Sequence, residues 1–113
     1  MFVYSEMHAW QNEPDVQQVL VFSSEAMKDT FEKTYSIATQ KHDPKLVAVV
    51  SENNMGAIYK LRAVLRGDGL YDPVIRCGFT GGHLGEYYPT ATASEAIQVC
   101  KVTLAHLIAN SLE

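Results

Sequence analysis

The sequence predicts an α+β domain, with α/β as the alternative. It reads as a single small sheet of about four strands packed with two or three helices, in the order ββαβαβα. Three observations predict it. The first 22 residues hold two runs of β-branched and aromatic residues around a proline turn, and residues 23–40 switch to helical spacing. Apolar segments of both kinds then alternate to the last residue. With 113 residues, 47% of them hydrophobic, residues 1–113 form one globular domain able to bury a core without disulfides or a structural metal.

From Met1 to Trp10 the pattern has a period of two. Phe2, Tyr4, Glu6, His8 and Trp10 share one face of a strand, and Val3, Ser5, Met7 and Ala9 the other. Gln11 to Asp15 is a turn, with Pro14 preset for a bend, and Val16 to Phe22 repeats the strand composition, giving a β-hairpin. Ser23 or Ser24 then caps a helix with Met27, Phe31, Thr34 and Ala38 on one side and Lys28, Asp29, Glu32, Lys33 and Ser36 on the other. This helix stops near Gln40, because a residue before a proline avoids helical geometry and His42-Asp43-Pro44 follows.

Leu46 to Val50 reads as a short, fully apolar, central strand. Ser51 to Arg66 fits two readings. As a helix it has Ser51 as cap, Ile58, Leu61 and Leu65 inward, and Gly67 as stop. As a strand, Ala57, Tyr59, Leu61, Ala63 and Leu65 alternate with Lys60, Arg62 and Arg66. The helix is preferred because caps fit both ends. Asp68-Gly69 turns the chain into a strand from Val74 to Phe79, preceded by Pro73. Ser94 or Thr92 caps a final helix running close to Leu112, whose main apolar face is Ile97, Cys100, Leu104, Leu107 and Ile108. Val99, Val102 and Ala109 lie roughly opposite that face with His106 among them, and such a second stripe predicts a homo-oligomer interface.

Thirteen acidic against nine basic side chains leave a net charge of −4, with no basic stripe for a nucleic acid polymer. The longest apolar run, Leu46 to Val50, is too short to cross a bilayer, and Met1-Phe-Val-Tyr carries no basic leader, so a cytoplasmic protein without a membrane partner is expected. Cys77 and Cys100 show no zinc-binding spacing and are read as reduced, buried thiols. No metal and no cofactor is expected.

The candidate site is the segment between the last strand and the last helix. Gly78 to Ser94 holds four of the seven glycines. Backbone N–H groups of Gly81, Gly82 and Gly85 beside a helix start suit an anion, and Tyr87 and Tyr88 can stack on a ring. The predicted ligand-binding set is Thr80, Gly81, Gly82, His83, Gly85, Glu86, Tyr87, Tyr88, Thr90, Thr92 and Ser94. Its ligand is a phosphate-bearing, nucleotide-like small molecule, captured by a small non-catalytic binding or regulatory protein. The alternatives are a protein-interaction or inhibitory accessory module, and a small hydrolase or transferase using His83 with Glu86 and Cys77. A non-enzyme is preferred, because Cys, His and Glu within ten residues form no recognised catalytic spacing. Two weaker groupings complete the set: Glu6 and His8 with a distant His42 as metal ligands, and the basic cluster Lys60, Arg62 and Arg66.

Overall fold

The computed structural model describes residues 2–6, 15–53, 56–77 and 83–111. Its elements are β1 (Val3–Ser5), β2 (Val16–Phe22), α1 (Glu25–Gln40), α2 (Pro44–Asn53), β3 (Tyr59–Leu65), β4 (Tyr71–Cys77), β5 (His83–Glu86) and α3 (Ala93–Ser111). The strands form one sheet in the order β1-β2-β3-β4-β5, every neighbouring pair antiparallel. The fold is therefore α+β. The predicted turn at 11–14, strand residues 7–10 and the strand end at 78–79 lie outside the described residues.

The sheet is buried on both faces at β2. Alternation sends Val19 and Val21 to a cluster under α3 with Leu61, Ala63, Ile75, Ala96, Cys100 and Leu104. Leu20 and Phe22 point the other way, to Phe31, Val50 and Ala57 under α1 and α2. That double burial explains why Val19 to Phe22 is uninterrupted apolar sequence. Ser24 caps α1 as expected, its hydroxyl oxygen accepting from the Met27 N–H.

Two expectations for the middle of the chain are corrected. Leu46 to Val50 is not a strand but the centre of α2. A short apolar run cannot distinguish a buried strand from a buried helix by periodicity. The deciding signal is Asp43-Pro44: Pro44 occupies the first helical position, where its missing N–H costs nothing, and Asp43 Oδ1 accepts from the Lys45 and Leu46 N–H groups at 3.0 and 3.2 Å. The dipeptide that ends α1 also starts α2. From Ser51, three residues complete α2, and Tyr59–Leu65 is strand β3 rather than the preferred helix. The alternation of Tyr59, Leu61 and Ala63 against Lys60 and Arg62 governs, because β3 is the central strand, laddered to β2 and β4.

Strand β4 starts before Pro73, which lies inside it. Tyr71 exchanges both backbone hydrogen bonds with Thr90. Pro73, two residues on, therefore aims its missing donor at Tyr87–Pro89, where no ladder runs. The glycine-rich segment, read as a loop throughout, contains the fifth strand.

Burial pushes the Cys100 thiol up from its ordinary 9.0 to about 11. The native protein holds this proton where the unfolded chain has lost it. Its contribution to stability is thus complete below pH 9 and is lost as pH rises towards 11. Urea unfolding of the wild type should lose ~2 kcal/mol more than Cys100→Ala over that interval. Parallel pH profiles for the two proteins would contradict the assignment.

Candidate functional site

The face of the sheet away from α3 is divided. α1 packs on β1 and β2, and α2 lies against α1 with its Val50 in the cluster of Leu20 and Phe22; among the described residues the backbone of neither helix comes close to β3, β4 or β5. The half over which no described helix lies carries the cations Lys60, Arg62 and Arg76. Lys60 of β3 stands directly opposite Arg76 of β4, and Arg62 stands between Gln18 and Val74. All three cationic residues are half-buried, the Nε atoms of Arg62 and Arg76 are buried, and Gln18 keeps only 3% of its surface. Val74, opposite Arg62 on the same face, is buried.

Like charges directly opposite in an antiparallel pair disfavour one another. A Lys–Arg pair with a second Arg one step along the face gathers planar, bidentate donors and a point charge, each of them also engaged within the fold. Arg66 does not belong to this group. It sits at the β3–β4 turn, within 3.3 Å of Asp68 and 3.4 Å of Asp72.

The predicted binding residues divide between two places. Thr80, Gly81 and Gly82 lie outside the described residues. His83, Gly85 and Glu86 form the backbone of β5, in register with Arg76, Ile75 and Val74, around a bulge between Ile75 and Arg76. This places the β5 end of the segment beside the cationic half of the sheet. Tyr87 packs on the α3-side core, whereas Tyr88 is 92% exposed. Thr90 Oγ1 donates to the Thr92 carbonyl at 2.7 Å, and Thr92 Oγ1 accepts from the Glu95 N–H at 3.1 Å, so Thr92 is the cap of α3. Ser94 is exposed in the first turn of that helix, at a cleft of about 150 Å³ shared with Glu6, Gln98 and Lys101.

The other groupings separate. Glu6 pairs with Lys101 Nζ at 2.9 Å on the α3 side, whereas His42 is exposed at the α1–α2 corner and His8 lies outside the described residues. Among the described residues no three His, Cys, Asp or Glu side chains come together as a metal site. Cys77 is half-buried at the end of β4 and Cys100 fully buried, neither in a disulfide. No described helix is long and apolar enough to cross a membrane. On α3, Val102, His106 and Ala109 are exposed and Val99 half-buried.

Arg76 is the cation that sequence reading missed. The signal was present: a hairpin folded about Asp68, an Asp-Gly turn, puts residue 60 opposite residue 76. No protein-family model, curated protein or solved structure matches the chain.

Proposed function

We propose that this chain is a small non-catalytic binding or regulatory protein of the cytoplasm that acts as a homo-oligomer. It captures a phosphate-bearing, nucleotide-like anion where β5, within the segment 80–94, borders the cationic half of the sheet. The observation that carries the reading is the cross-strand pair Lys60–Arg76 with Arg62 beside it, next to β5. In the proposed site these cations hold the phosphate charge. The net charge of −4 makes this cationic half a local exception, which favours a compact anion over a polyanion.

Calorimetric titration with pyrophosphate and a nucleotide panel tests it. One member should bind in the micromolar range. Lys60→Glu/Arg76→Glu should weaken that binding by about a hundredfold, two charge-assisted contacts' worth, with circular dichroism confirming that the variant is folded. Gly82→Val should also lower affinity more than stability, because a β-branched side chain blocks close backbone approach. If no anion in the panel binds the wild type, or the double variant binds as tightly, the reading falls.

A further inference from the structure

One stripe of α3 points directly away from the sheet. At 3.6 residues per turn, Glu95, Val99, Val102, His106 and Ala109 lie within about 40° of one line. The buried residues Ile97, Cys100 and Leu104 occupy the opposite side. Val102 keeps 48% of its surface. From Gln98 to Ala109 the exposed positions are Gln98, Val102, Ala105, His106, Leu107 and Ala109, none of them Asp, Glu, Lys or Arg.

The order of groups along this stripe is self-complementary. A carboxylate stands at the N-terminal end and an imidazole at the C-terminal end, each four residues from the nearer of two central valines. We infer that the stripe docks on the same stripe of a second copy, the two helices antiparallel about a two-fold axis midway between Val99 and Val102. Val99 then meets the partner's Val102, and Glu95 meets the partner's His106, at both ends of a contact about 16 Å long. An imidazole N–H donates to a carboxylate whether the ring is neutral or charged. A parallel arrangement would set Glu95 against its own copy.

Charge also selects the occupant. A chain of net charge −4 repels its own copy over most of its surface, and on this stripe the one charged group, Glu95, meets an imidazole rather than a second carboxylate. The assembly stacks sheet, helix, helix, sheet. Both cationic half-faces stay on the outside, so each dimer presents two of them. The inference rests on the self-association part of the proposal above and not on the anion.

Sedimentation velocity over a concentration series is the test, with circular dichroism confirming that each variant is folded. The wild type should be dimeric at tens of micromolar. Val102→Glu should be monomeric, and His106→Glu should weaken the dimer about tenfold or more by facing two carboxylates across the axis. Adding Glu95→Lys to His106→Glu should restore the affinity to within about threefold of wild type, because the pair is then of opposite charge. A monomeric wild type overturns the inference, as does a dimer in which the double variant is no tighter than His106→Glu alone. If Val102→Glu fails to fold, the charge-swap series decides. Anion titration of the Val102→Glu monomer separates the two readings, since each outer face should bind with or without the dimer.

Discussion

Phe31→Ala should destabilise the protein by about 3–5 kcal/mol, a large share of the 5–15 kcal/mol that holds a typical domain. Phe31 is fully buried, and its ring centroid lies 5.6 Å from that of Phe22 and 6.2 Å from that of Tyr35. Among the described residues Leu20, Phe22, Val50 and Ala57 share its buried cluster, with Met27 and Tyr35 packed against it, so the aromatic ring is much of what binds the α1–α2 layer to the sheet. A polar tie between α1 and β1 is the hydrogen bond from Ser5 Oγ to Glu32 Oε1 at 2.8 Å. Urea unfolding measures the loss. Phe31→Leu, which keeps most of the volume, should cost ~1–2 kcal/mol. Among the described residues the cluster under α3 holds ten that are buried. Hydrogen exchange should therefore show α1 and α2 amides losing protection in Phe31→Ala before those of α3. Uniform loss of protection, or a cost under ~1 kcal/mol, would mean that α1 is held by something other than this ring.

Gly56→Val should cost about 2–3 kcal/mol through its backbone. Gly56 has φ of +81°, a conformation that costs an L-residue ~1–2 kcal/mol and a β-branched one more. A Cβ there would also lie 2.9 Å from Met27 Cε. The two effects can be separated. The methionine tip is flexible and borders an open cleft of about 300 Å³, so it can withdraw cheaply, whereas the dihedral cannot relax without displacing the entry to β3. Gly56→Ala alone should cost ~1–2 kcal/mol. In a double-mutant cycle with Met27→Ala, the coupling energy should stay below ~0.5 kcal/mol. Coupling that recovers the full cost would make the steric contact the cause.

The ends of the chain were legible because each carries a local signal that the tertiary structure agrees with. Ser24 and the spacing of Phe31 and Ala38 define α1, Thr92 and the spacing of Ile97, Cys100 and Leu104 define α3, and the run Val16 to Phe22 is β2 residue for residue. The middle was not. Pro44 was read as a stop when it is also a start, and the fitting caps of 51–66 outweighed an alternation whose value depends on the neighbouring strands. The same misreading hid the cationic half-face. Lys60 and Arg62 share a face only in a strand, and Arg76 joins them only through the β3–β4 register. The glycine-rich segment drew attention to the right neighbourhood, but its edge strand was invisible because Gly85 breaks the apolar alternation that marks a strand.

The position of the α1–α2 insertion between β2 and β3 has a consequence for how the chain is made. The β3–β4 hairpin closes through the turn from Arg66 to Leu70 and can zip in microseconds. Val21 and Tyr59, partners in the β2–β3 ladder, are by contrast 38 residues apart. On a ribosome adding about 5–20 residues each second, β2 emerges seconds before any strand that can pair with its inner edge. During that interval Val19-Leu20-Val21-Phe22, buried on both sides in the finished protein, has neither β3 nor α3 to cover it. The segment that fixes the centre of the sheet is thus also the one a nascent chain must shield, and it is where a chaperone that reads short apolar β-forming runs would bind first.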